Sequence, residues 1–156
     1  MNQPQLTPLL NRLLAILCRS FPQYLQYARP YIPLGNEDVV ETFQSIVADQ
    51  NGLAQRISQM VSSGLSWPRC GEFPMEFTDK NDLEIDFLIR AAIAYQEQDI
   101  AAISQLVEQL QSAPAAKALA EEALGMAKGH LDSLQDLLKS KLPDAADANA
   151  EPATVP

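Results

Sequence analysis

The sequence predicts an all-α fold, a bundle of four helices, and three observations carry the prediction. Apolar residues recur at the three- and four-residue spacing of one helix face through four separate segments. Capping residues, Pro and Gly fall mostly between those segments. Apolar residues make up 47% of the chain and aromatics only 6%, a Leu/Ala-rich balance that suits helices better than sheets. With 156 residues the chain is one domain's worth and long enough to bury a sizeable core.

The first segment opens at Thr7-Pro8, a hydroxyl N-cap followed by Pro at the first helical position. Its stripe comprises positions 10, 13, 14, 17, 21, 24 and 28. Pro22 lies inside and should bend the helix, because it lacks a backbone donor and crowds the preceding turn. Pro30 ends the helix after Arg29. Asn36 caps the second segment, and Glu37 and Asp38 suit its first turn. Its stripe is Val39, Phe43, Ile46, Val47, Ala54, Ile57 and Val61, with Gly64 as the stop.

The third segment starts near Asn81 or Asp82 and runs to about Ser112, through Ile85, Leu88, Ala92, Tyr95, Ile103, Leu106 and Leu110. The fourth begins at Pro114, carries Ala116, Ala120, Leu124, Ala127, Leu131, Leu134 and Leu138, and stops at Pro143. Residues 1–142 thus form the helical domain. The remainder, 143–156 (PDAADANAEPATVP), has no apolar periodicity and is expected to be a disordered acidic tail.

The connections suggest how the helices are joined. About six residues link helices one and two, and two or three link helices three and four. Between helices two and three lie some 17 residues, from Leu65 to Asn81. Such a segment reaches ~56 Å when extended, whereas a helix of about 28 residues spans ~42 Å. Short, long, short is the pattern of two antiparallel hairpins joined by a long crossover, the ferritin-like layout. An up-down bundle with a loose middle loop is the alternative.

Charge narrows the functional classes. Lys and Arg number 11 against 20 Asp and Glu, a net charge of −9 with the single His neutral. That balance leaves no electrostatic footprint for nucleic acid and is repelled by anionic lipid. No apolar run approaches the ~18 residues of a membrane span. The N-terminus carries no basic segment before its apolar stretch, so a secretory leader is not expected. Cys18 and Cys70 are too few for a disulfide framework or a Cys-based zinc site; they read as reduced structural thiols in a cytoplasm.

The stretch LLNRLLAILCRSFPQYLQYAR (9–29) resembles the first helix of bacterioferritins, in Leu10-Asn11, Leu14, Gln23-Tyr24 and Ala28-Arg29. DQNGLAQRISQMVSSGLSWP (49–68) is similar to their second helix and its exit, and GHLDSLQDLL (129–138) to their fourth. The resemblance implies a fold whose di-iron centre takes one Glu from each of two helices and Glu-x-x-His from each of the others. Carboxylate oxygens bridge and neutralise the two cations, and imidazoles complete the coordination.

Set against that pattern, the ligands are largely lost. Leu17 stands for the helix-one Glu, Gln50 and Leu53 for the helix-two Glu and His, and Ala127 for the helix-four Glu. On helix three the phase of the stripe selects Asp99 over Glu97. Asp99 and His130 therefore remain, with Gln50 as a possible third group. They are expected either to hydrogen-bond each other as a buried polar pair or to hold a residual iron or other divalent metal. Asn51 occupies the haem-ligating Met position of that family, so no haem is implied.

The expectation is a non-catalytic ferritin-like protein without a resident cofactor, serving as a structural or interaction module through self-association or a protein partner. Ferroxidase activity is not expected. Two alternatives stay open: a metal-binding protein using Asp99 and His130, and a small-molecule binder in the space around Leu17, Leu53 and Ala127. The aromatic stretch WPRCGEFPMEF (67–77) is expected to cover one face of the helices, with a contact patch for a partner subunit as the other reading.

Overall fold

The computed structural model describes residues 1–80 and 84–142. The expected third-helix start at Asn81 or Asp82 and the 143–156 tail lie outside the described residues. All regular structure among the described residues is helical: α1 (Gln3–Cys18), α2 (Phe21–Ala28), α3 (Glu37–Ser63), a 3₁₀ segment (Met75–Lys80), α4 (Ile85–Gln109) and α5 (Pro114–Lys141). No helix among them is long and apolar enough to cross a membrane.

The expected first helix is two helices, and it begins earlier than Thr7. Asn2 caps α1 in a capping box: its side chain accepts from Gln5 N, while the Gln5 side chain accepts from Asn2 N. Two orphan N–H groups are thus satisfied, and Pro4 in the first turn has no donor to lose. Pro8 is consequently inside the helix, where its ring removes one backbone donor. The chain then breaks at Arg19–Ser20. Ser20 Oγ accepts from Gln23 N at 3.3 Å, so Ser20 caps α2 and puts Pro22 in a first turn, where proline fits.

The start of α3 differs from expectation, whereas its end at Gly64 is as expected. Asn36 does not cap α3 with its side chain, which donates instead to the Pro33 carbonyl at 3.1 Å. At the far end of α3, Gly64 is the C-cap, yet the left-handed residue is Leu65, with φ of 61°. Leu65 N donates to Ser62 O and Ser66 N to Val61 O, the paired bonds of a Schellman motif. A side chain at Gly64 would collide with that of Gln3, which brings this end of α3 beside the start of α1.

Contacts between helices fix their directions. Gln3 lies beside Gly64, Ser20 bonds Gln50, and Leu25 shares a groove with Val40 and Phe43, so α1 and α2 run against α3. Lys141 pairs with Asp38, His130 with Asp49 and Glu122 with Arg56, so α5 also runs against α3. A short turn, in which Ala113 N donates to Leu110 O, folds α5 back on α4.

The segment leaving α3 follows α1 along its length. Ser66 accepts from Thr7, the Trp67 carbonyl from Asn11, and the Gly71 carbonyl from Arg19. Further on, Phe73 packs on Tyr24, and Phe77 on Phe21, Tyr24 and Tyr95. Phe77 is buried, while Trp67 and Met75 are exposed. This stretch therefore covers the helices with some of its aromatics and leaves others to solvent.

Candidate functional site

Apolar burial occurs in two blocks, one at each end of the helices. One contains Leu10, Leu13, Leu14 and Leu17 of α1, packed with Leu53 and Ile57, Ile103 and Leu106, and Ala120 and Ala127. The other contains Phe21 and Leu25 of α2, packed with Val39 and Ile46, Leu88 and Ala92, and Leu134. Between the blocks lie Ser20, Gln50, Gln96 and His130, the buried polar side chains among the described residues. Each comes from a different part of the helical frame: the α1–α2 junction, α3, α4 and α5. Together they form a polar layer halfway along the helices.

Local structure places each of them. Ser20 enters the interior because the helix breaks there, and its hydroxyl serves twice. It accepts from Gln23 N and donates to Gln50 Oε1 at 2.8 Å. Gln96 lies four residues after Ala92 on the inward stripe of α4, and its Nε2 donates to the Ala127 carbonyl at 3.0 Å. His130 lies one turn beyond Ala127 on α5, with Nε2 2.8 Å from Asp49 Oδ2. Two buried atoms in this layer, Gln96 Oε1 and His130 Nδ1, have no hydrogen-bond partner among the described residues. Buried polar atoms are usually paired, so this layer is the most polar-strained place in the core.

The expected Asp99–His130 pair is not formed. Asp49 takes the His130 Nε2, from a position half in solvent at the α3–α5 interface. Asp99 lines a cavity of about 260 Å³ on the other side of Ser20, together with Arg12 and Arg19, Glu72 and Phe77, and Tyr95. Burial alone pushes its carboxyl up to about 7, with no contribution from an imidazole. The error lay in extending one helical phase over α4. Asp99 is indeed more inward than exposed Glu97, but the residue at full depth is Gln96.

The other positions named from sequence fall as follows. Leu17, Gln50, Leu53 and Ala127 are all buried. Gln50 belongs to the central layer, bonded to Ser20 rather than joined to Asp99. Asn51 is exposed and accepts from Gln23 at 2.8 Å. The cavity beside Asp99 is not lined by Leu17, Leu53 or Ala127. No family model, no curated protein and no solved structure matches the chain.

Sequence reasoning passed over Ser20, Asp49 and Gln96. Gln96 was readable from its i+4 relation to Ala92. Ser20 needed recognition that Ser-x-Pro restarts a helix. Asp49 carried no signal, because its side chain reaches inward from the rim of the α3 stripe.

A second feature lies at the end of the helices where α3 begins. A groove of about 370 Å³ is lined by Leu25, Ile32, Val40, Phe43 and Leu88, and also by Gln26, Arg29, Pro30 and Gln44. The same 29–36 loop that walls this groove also projects Tyr31 and Leu34, which are 85% and 95% exposed.

Proposed function

We propose that this chain is a non-catalytic, ferritin-like four-helix bundle that acts as a self-associating structural module. The ferritin-like reading is supported by the two antiparallel pairings, α1 and α2 with α3 and α4 with α5. It is supported further by the segment that follows α1 back along its length before α4 starts. In this reading that segment is the long crossover, and the Ser20, Gln50, Gln96 and His130 layer occupies the level where such bundles place a di-iron centre.

A di-iron group does not fit that layer. It needs several anionic oxygens to offset two divalent cations. The layer offers a hydroxyl, two neutral amides and one imidazole already engaged by Asp49. Among the described residues, no three His, Cys, Asp or Glu side chains gather in a way that could hold a metal. We therefore assign the layer a packing role, in which hydrogen bonds from Ser20 to Gln50, Gln96 to the Ala127 carbonyl and His130 to Asp49 fix the register of neighbouring helices.

The observation that carries self-association is the 29–36 loop. It walls a mainly apolar groove and, immediately beside it, projects Tyr31 and Leu34 into solvent. A knob next to a socket is self-complementary under a two-fold axis, because each copy can insert its knob into the other's groove. The occupant of the groove is thus a second copy of this chain. Like net charges oppose this contact, so it strengthens as salt screens them.

Light scattering across a concentration series tests the reading. The chain is expected to reach dimer mass, more readily at higher salt, and Tyr31→Ser combined with Leu34→Ser to remain monomeric with unchanged helicity. A wild-type chain that stays monomeric throughout, or a variant that still dimerises, overturns it.

A further inference from the structure

Cys18 is the last residue of α1, and Cys70 lies in the segment that follows α3. They are 52 positions apart in sequence, yet their Sγ atoms are 2.8 Å apart. That separation is only about 0.8 Å longer than a disulfide bond of ~2.05 Å. Both thiols are partly accessible rather than sealed in the core.

The surroundings hold the two sulfurs together from both sides. Asn11 donates to the Trp67 carbonyl at 3.3 Å and accepts from Arg69 N at 2.9 Å, gripping the chain just before Cys70. Arg19 donates to the Gly71 carbonyl at 2.7 Å and stacks over Phe73, gripping it just after. Gly71, at φ of 71°, supplies the turn that such a close approach needs. Joining the sulfurs therefore takes a closure of about 0.8 Å between two segments already held together.

We infer that Cys18 and Cys70 are a redox-modification site, a dithiol that closes to an intramolecular disulfide and fastens the 65–80 segment to α1. The oxidant belongs to the class of small peroxides. Cys70 attacks hydrogen peroxide as the thiolate, displacing hydroxide, which leaves as water, and becoming a sulfenic acid. The Cys18 sulfur then attacks the Cys70 sulfur, gives up its proton, and the sulfenic oxygen leaves as a second water. Overall two thiols and one peroxide give one disulfide and two waters, with two electrons passing from sulfur to peroxide oxygen.

The order of attack follows from environment. Burial, aided by the hydrogen bond with Cys70, pushes the Cys18 thiol up to about 12, so Cys18 stays protonated until the second step. A dithiol reductant reverses the reaction. Closure has a structural consequence, because Glu72, Pro74, Glu76 and Phe77 of the fastened segment help to wall the cavity beside Asp99.

The test treats the full reduced chain with hydrogen peroxide and follows free thiols, intact mass and melting temperature. The expected product has no titratable thiol, is lighter by about 2 Da, and reverts with dithiothreitol. It should melt roughly 5–10 °C higher, because the cross-link closes a long loop in the unfolded chain. Cys18→Ser and Cys70→Ser should each show neither the mass loss nor the thermal shift. Two persistent thiols, mass gains in steps of about 16 Da, or a disulfide formed between chains would each overturn the inference. Because the readout is the mass of a single chain, it does not depend on whether the protein dimerises.

Discussion

His130 is joined through Nε2 to Asp49 Oδ2 at 2.8 Å, across the interface between α5 and α3. The carboxylate accepts from Nε2, and Nδ1 has no hydrogen-bond partner among the described residues. Because Asp49 is bonded to His130 and Asp99 feels burial alone, the two acidic residues should behave differently in a double-mutant cycle with His130. Asp49→Asn and His130→Ala should couple by about 1 kcal/mol, as befits a half-exposed pair. Asp99→Asn and His130→Ala should be additive to within about 0.5 kcal/mol. Chemical denaturation of the single and double variants measures both numbers, and strong coupling between Asp99 and His130 would restore the pairing read from sequence.

Ser20 has two roles that an alanine cannot fill. Ser20→Ala removes the cap of α2 and leaves Gln50 Oε1 buried without its donor. The expected loss is about 2–3 kcal/mol, from the missing cap and the stranded acceptor together. Adding Gln50→Leu removes the stranded group, so the double variant should recover part of that loss. Urea titration of both proteins shows whether the second substitution helps, as proposed, or adds further damage.

Asp99 makes stability depend on pH. Its folded-state carboxyl is raised to about 7 from the ordinary 3.8, so between these values the folded chain binds the extra proton. Stability from this group is therefore full below about pH 4 and lost as pH rises through about 7, by an amount on the order of a few kcal/mol. Asp99→Asn cannot ionise, so it should be more stable than wild type at pH 8 and close to it at pH 4. Melting curves at the two pH values decide the matter, and a wild type that gains stability across pH 5 to 8 relative to the variant refutes the sign.

Leu65 sits in a left-handed conformation with its side chain in solvent, closing a Schellman motif that usually ends on glycine. Leu65→Gly should stabilise the chain by about 0.5–1 kcal/mol, since relief of the backbone strain exceeds the added freedom of the unfolded state. Thermal unfolding should shift upward by a few degrees. A drop would mean that Leu65 makes a contact of its own.

Much of the helical architecture was legible because periodicity is a local property. The stripe of α3 and the Pro114 start of α5 needed no tertiary information, and the inward positions of Leu17, Gln50, Leu53 and Ala127 followed from phase. The break at Ser20 was hidden because the same apolar spacing continues through it, and only the cap bonding shows where one helix stops. Depth on α4 was misjudged between Gln96 and Asp99 because positions three residues apart can share a face, and neighbouring helices decide which one is central. The Asp49–His130 and Cys18–Cys70 contacts join distant segments. Nothing in the composition or spacing of a single chain encodes such partners.

The central claim is that the Ser20, Gln50, Gln96 and His130 layer is packing and not a metal centre. Anaerobic titration of the purified chain with ferrous iron, followed by calorimetry, addresses it directly. The account predicts no stoichiometric binding, and His130→Leu should leave the titration unchanged. Tight uptake of one or two irons per chain, abolished by His130→Leu, would contradict it.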